Sequence, residues 1–557
     1  MKKVLKSIIA VSMTAISTFS LFACNGTGEE SRNDGTKSEL LVYNYAGGVG
    51  SVWLDKAIQR FEEKFEDYSF EEGKMGVVIE KNPTKAGADL ATIQNAPEDV
   101  FFSEWIDIPS LVSQGKILNI NDVATTPLNT YLEGRTTDTE KIQDKLYAET
   151  IDFFTFKDDQ YYGLPHYSVM PTLTYNKQLF EDKGLYFAKQ PVGTDLMGKF
   201  ISGSNPTKSC GPDGVVGNDD DGLPATWDEM YDLFNYMIKK SVTPIVYSGG
   251  TAYGYTKYLL NNIYLNLVGK DVARYNYTFD SADKSINIVT GWESTSNTAL
   301  PTTGTAQVTP SDSSALNKQL EKYQARAVLD KILDNDQWQH DVCDDTEANN
   351  LDAQFEYVYS YNEGSPVAFL IEGSYWYNEA TDALYIDDVR SNYDTYDDLN
   401  DYQILPMPRV YSGTAADIEG KPQRKTVVTD QSDSLACINA KIPANKVKLA
   451  KMFLAFCYTD ESLAEFTETT NTMRYMQYDI NEAKLSSYGK SVYSYTKNSD
   501  ILFAYSSHVR YLAGKRNFSM HLESSFWDCG DANPYNMLNG SNKYVKSFFT
   551  DFMTRDI

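Results

Sequence analysis

The feature that most limits how this chain can fold is an alternation of strand-like and helix-like stretches over residues 39–115. Residues 39–45 (ELLVYNY) read as a strand, with Gly47, Gly48 and Gly50 forming a tight loop after it. Residues 51–64 then begin an amphipathic helix, with Leu54, Ala57, Ile58, Phe61 and Phe65 at helical spacing. A strand at 77–80, a short helix at 89–93, a strand at 99–103 (DVFFS) and a helix at 108–114 continue the pattern. Such alternation predicts a mostly parallel α/β sheet. The loop at Gly47 lacks GxGxxG and is not a dinucleotide-binding turn.

The ends and the charge narrow the setting. Lys2, Lys3 and Lys6 precede an apolar stretch at 8–22 that is too short and too rich in Ser and Thr for a comfortable membrane span. It closes on Leu21-Phe22-Ala23-Cys24, which resembles the lipobox of bacterial lipoproteins. The resemblance implies a signal peptide over 1–23 and a lipidated Cys24, held at the extracellular face of the cytoplasmic membrane. An ordinary signal peptide that happens to contain Cys is the alternative. Residues 24–38 are polar, Gly-rich and aperiodic, and read as a flexible tether. A net charge of −27 argues against nucleic-acid partners and anionic lipid surfaces, both of which need positive protein surface. The six cysteines show no CxxC pair and the four histidines no HExxH pair, so neither a disulfide framework nor a zinc site is expected.

The middle of the chain carries the most informative segment, residues 161–180 (YYGLPHYSVMPTLTYNKQLF). Gly163 and Pro165 break the preceding element, Thr172 to Tyr175 alternate like a strand, and Asn176 is a helix N-cap candidate. Further on, Thr226-Trp227-Asp228-Glu229 predicts a capping box. Met230, Leu233, Phe234, Met237 and Ile238 follow as a helical stripe, with Trp227 as packing. The "YGLP…YNK.LF" segment resembles one in family 1 extracellular solute-binding proteins, the sugar receptors of ABC importers. So do the DVFF strand with its Gly115-Lys116-Ile117-Leu118 exit, the TWDE start, GSPVAFLIEGSYWYNEA, QILPMPR and TDESLAEFTETTNTMRY, in the same order.

That resemblance implies an α/β, two-lobed periplasmic-binding-protein-like fold of type II, with a ligand cleft between lobes joined by hinge crossings. It places the first lobe at 39–166 and 405–470 and the second at 167–404 and 471–557, with insertions near 190–222, 276–315 and 385–401. In an open α/β sheet ligands sit at strand carboxyl ends. Sugars suit carboxylates that accept hydroxyl hydrogen bonds and aromatic faces that cover ring C–H patches. Glu104, Trp105 and Asp107 follow the third strand and are candidates on that ground, with core packing and a solvated helix start as the competing roles. By position in the family, His166 and Tyr167, and Glu372 with Tyr375 or Trp376, would also face ligand. Trp527 would close over it. Arg474 is a candidate hydrogen-bond donor or an ion-pair partner for nearby acids.

The Asp-rich turn before Thr226 offers Asp213, Asp219 and Asp221 as oxygen ligands suited to Ca²⁺, although it lacks the EF-hand spacing and a solvated turn is the favoured alternative. No other cofactor is expected. The functional expectation is a monomeric, non-enzymatic binding protein that closes on a carbohydrate and presents it to ABC transporter permease subunits. Two alternatives stay open. One is a receptor for another solute, such as a peptide or polyamine. The other is a lipid-anchored glycoside hydrolase, which needs two carboxylates facing each other across the cleft.

Overall fold

The computed structural model describes residues 35–554 apart from 89, 105, 157–158, 383–385, 387–398, 422, 431–433 and 504–543. The proposed signal and Cys24, Trp105 and Trp527 lie outside the described residues. In chain order the elements that matter to the site begin with β1 (Ser38–Tyr45), α1 (Val52–Lys64), β2 (Val77–Thr84), β3 (Val100–Glu104) and α2 (Ile108–Ser113). Next come β4 (Leu164–Pro165), β5 (Pro171–Asn176), α3 (Lys177–Lys183), α4 (Trp227–Lys239), β6 (Thr243–Val246) and α5 (Ala252–Val268). They continue with α6 (Asn350–Ser360), β7 (Val367–Gly373), α7 (Trp376–Asp382), β8 (Tyr402–Ile404), β9 (Val427–Asp430) and β10 (Ser434–Ile438). The last are α8 (Val447–Phe456), α9 (Asp460–Thr470), α10 (Ser487–Asn498) and β11 (Asp500–Phe503).

Two sheets form two lobes. The first has the order β2-β1-β3-β10-β4. Its β1 runs parallel to both β2 and β3, while β10 returns antiparallel between β3 and β4. The expected apolar stripe of α1 covers one face, with Leu54, Ala57, Ile58 and Phe61 buried beside Trp53. The second sheet has the order β8-β5-β7-β6. Here β5 is antiparallel to both neighbours, and only β6 and β7 run parallel. The mostly parallel expectation, made for residues 39–115, holds where β1 pairs with β2 and β3, while the second sheet, built from later segments, is mostly antiparallel. The reason is that β5 enters from the other lobe instead of through a helical crossover, so nothing forces it parallel.

Local signals act as expected. Asn176 caps α3 by accepting from Leu179 N, and Thr226 caps α4 by accepting from Glu229 N. The Glu229 carboxylate turns away from a reciprocal bond and accepts from Ala225 N and Ala415 N, which ties the helix start to a distant loop. Trp227 is buried packing, as expected. Part of the 276–315 insertion folds as a hairpin, Ser285–Trp292 against Pro301–Gln307. Among the described residues no helix is long and apolar enough to cross a membrane.

Three stretches join the lobes. The first runs from β4 to β5, where Ser168 N donates to Met473 O and Ser168 Oγ donates to the buried Asp430 carboxylate. The second falls later in the chain than position 405. Val410 bridges to Thr226 and Cys210 Sγ donates to Ala415 O at 3.4 Å, so the chain is still with the second lobe there, and it is back in the first lobe's sheet at β10. The third also falls later than 471. Tyr475 donates its hydroxyl to Ser434 O and Gln477 N donates to Lys145 O, so this stretch stays with the first lobe, and α10 then packs on β8. Sequence motifs mark where a segment begins; which lobe holds it depends on hydrogen bonds to residues far away in the chain.

Candidate functional site

A cavity of about 440 Å³ opens between the lobes at the carboxyl ends of β1 and β3. The first lobe supplies Tyr45 from the end of β1, Gly47 and Gly48 from the next turn, and Glu104 from the end of β3. The second supplies Tyr258 from α5, Asn350 from the start of α6, and Tyr375 and Glu379 at the start of α7. Asn378 Nδ2 donates to Gly48 O at 2.8 Å and bridges the two walls. Gly48 has a φ of 59°, and an added Cβ would lie 3.1 Å from the Tyr167 hydroxyl and 3.2 Å from the Tyr375 ring. A residue without a side chain is what lets the walls approach here.

The carboxylates of the site are held in different ways. Glu104 is 8% exposed and accepts a hydrogen bond from the Tyr167 hydroxyl. Burial pushes its carboxyl up to about 7, with the Glu379 charge acting in the same direction. Glu372, at the end of β7, is 1% exposed and accepts from Gly373 N at 2.9 Å. Burial, with Glu379 beside it, pushes it up to about 8. Glu379 accepts from Asn350 Nδ2 and Gln354 Nε2, each at 2.9 Å. The Tyr375 hydroxyl, buried near Tyr258, Glu372 and Glu104, is held well above the usual phenol range.

These shifts have a sign. The folded chain holds the Glu104 and Glu372 protons above the ordinary glutamate value of 4.5. Their contribution to stability is therefore full below about 4.5 and is lost as pH rises through about 7 to 8. We expect the melting temperature to fall between pH 5.5 and pH 8.5. Glu372→Gln should fall less over that range in scanning calorimetry, because its side chain carries no charge to acquire. Glu229, which burial also pushes up to about 7, acts in the same sense in both proteins and drops out of the comparison.

The remaining expected site residues stand elsewhere. Tyr167 is fully buried behind the cavity, its ring edge-on to Tyr375 at 6.1 Å. Trp376 is fully buried in the second lobe, with its indole N–H donating to Thr174 Oγ1 at 3.2 Å. His166 and Arg474 meet inside the first lobe, where Arg474 Nη1 donates to His166 O at 2.8 Å and lies 2.9 Å from His166 Nδ1. Burial, and secondarily Arg474, hold the imidazole well below its usual value of 6.5. Asp107 caps α2, accepting from Ser110 N and from Ser110 Oγ. In the Asp-rich turn, Asp213 accepts from Val215 N and Asn218 Nδ2, and Asp221 from Gly217 N, while Asp219 is exposed. Among the described residues no three His, Cys, Asp or Glu side chains gather in a way that could hold a metal ion.

Sequence reasoning passed over Tyr45, Tyr258, Asn350 and Glu379. Two of these had a usable signal. Tyr45 ends the first strand, the same position on β1 that Glu104 holds on β3, and Glu379 lies one helical turn after Tyr375. Tyr258 and Asn350 come from helices whose place at the cavity is set by tertiary packing.

Two α/β lobes joined by three crossings, with a polar and aromatic cavity at the strand ends between them, define a two-lobed solute receptor. The family model for bacterial extracellular solute-binding proteins matches residues 52–340, just over half of the chain, and the chain belongs to that family. No curated protein matches it. Among solved structures it is similar to a chitin oligosaccharide binding protein, at 15% identity and a TM-score of 0.51, covering 94% of this chain and 100% of that one. It is likewise similar to apo RafE from Streptococcus pneumoniae, at 13% identity and a TM-score of 0.51, covering 94% and 98%. The GacH receptor of Streptomyces glaucescens, solved unliganded and with acarbose, matches at 12% identity and a TM-score of 0.50, covering 93% and 97%. At such identities the likeness is one of fold.

Proposed function

We propose that this protein captures a saccharide in the interlobe cavity and delivers it to an ABC importer. In this reading acylation of Cys24 tethers it to the outer face of the cytoplasmic membrane. The observation that carries the reading is the lining of the cavity. Tyrosine rings from both lobes can cover the C–H faces of a sugar ring, while Glu104, Glu379 and Asn350 offer acceptors and a donor to its hydroxyls. A cavity near 440 Å³ falls in the usual range for small-molecule sites, about 300–1,000 Å³. The sugar ligands of the similar receptors support the same class of solute. The net charge of −27 fits neutral and cationic solutes better than anionic ones.

The test is thermal unfolding against a panel of mono- and oligosaccharides. A ligand present at a hundred times its dissociation constant stabilises the folded state by about 2.7 kcal/mol, which for a protein of this size is a shift of a few degrees. A shift with one class of sugar, recovered chemically unchanged, supports the receptor reading. A sugar recovered cleaved would replace it with a hydrolase, and a shift with peptides or spermidine alone would remove the saccharide from it.

A further inference from the structure

The charge balance of the cavity refines which saccharide would fit, and this step rests on the saccharide reading above. Glu104 from β3 and Glu379 from α7 line the cavity, one from each lobe, and Glu372 at the end of β7 stands close enough to Glu379 to feel its charge. Among the described lining residues the one cation is Lys85, just past the end of β2 and exposed to solvent. Glu372 gives its Oε1 to Gly373 N, while its Oε2, buried with the rest of the side chain, makes no hydrogen bond of good geometry. Tyr255, Tyr258 and Tyr375 surround this group of carboxylates.

A neutral sugar can supply hydroxyl donors to such a site, yet it leaves the Glu379 charge unbalanced and Glu104 and Glu372 holding their protons up to about 7 and 8. An ammonium supplies a full positive charge and three donors from one atom. Tyrosine faces also attract cations, more strongly where water is excluded. We infer that the cavity selects a saccharide carrying a protonated amino group over the same saccharide with a hydroxyl or an acetamide at that position. A neutral amide keeps a donor but loses the charge, and it adds bulk where the walls are already close. The acidity of the whole molecule acts in the same direction, by drawing cations toward its surface.

The experiment is isothermal titration calorimetry of the purified protein at pH 6.5 with matched hydroxyl, amino and acetamido forms of glucose, galactose and the β-1,4-linked glucose dimer. The expected result is that an amino form binds about tenfold or more tightly than both of its counterparts. Glu379→Gln should lose most of that preference, with the amino form losing more affinity than the hydroxyl form. If a hydroxyl or acetamido form binds as tightly as the amino form, the selectivity is wrong and the saccharide reading stands. If no saccharide binds in any form, both fall together. A folded Glu379→Gln protein that keeps the full preference would overturn the assignment of that selectivity to this carboxylate cluster.

Discussion

Trp376→Ala should destabilise the second lobe by about 3–5 kcal/mol, the usual cost of emptying a large aromatic site in a core. The indole is fully buried, donates to Thr174 Oγ1, and is ringed by Tyr402, Tyr488 and Tyr357 at 5.3, 5.4 and 5.7 Å between centroids. It pins α7 onto β5, β8 and α10. The change is expected in the urea midpoint, with saccharide affinity of the remaining folded protein nearly unchanged at low temperature. Tyr375→Ala should give the reverse pattern, because that ring lines the cavity. Lost affinity with unchanged stability in Trp376→Ala would show that this indole reaches ligand after all.

Arg474→Met should cost roughly 3 kcal/mol, from one charged hydrogen bond and several ring contacts made away from water. The guanidinium lies over Phe466, Tyr458 and Trp53 at 4.2, 4.9 and 5.1 Å from the ring centroids and holds the His166 carbonyl. Methionine keeps most of the volume, so the loss reports the charge and the hydrogen bonds more than a cavity. The same substitution removes one of the two causes that hold the His166 imidazole low, so its titration should move up toward 6.5 while burial still restrains it. With four histidines in the chain, imidazole proton resonances can follow that shift. A variant of native stability with reduced saccharide affinity would return Arg474 to the list of ligand contacts.

Both residues illustrate how far the sequence reaches. Adjacent aromatics at 375 and 376 announce an aromatic contact near the end of β7, but Tyr375 lies in the turn before α7 and Trp376 is the first residue of that helix, so the two side chains leave the backbone in different directions. One therefore faces the cavity and the other the core, and nothing within the segment sets that phase. Asp107 shows the same limit. A carboxylate just after a strand is both a plausible sugar acceptor and a good N-cap, and here the backbone of α2 holds it. The sequence leaves Arg474 as either a ligand donor or a partner for lobe acids, whereas the fold sets it against rings and a histidine carbonyl.

What the sequence determined by itself is what depends on near neighbours. The apolar stripe of α1, the Asn176 and Thr226 caps and the strands around β1 to β3 follow from periodicity and from hydrogen bonds spanning a few residues. The ordered series of short motifs was also enough to indicate the family. Only the tertiary structure decided the direction of β5 in its sheet, the later positions of the second and third crossings, and the meeting of Tyr45 and Glu104 with Tyr258, Tyr375 and Glu379. Those outcomes rest on pairings between segments tens to hundreds of residues apart, whose energies depend on how two lobes dock and not on the local order of side chains.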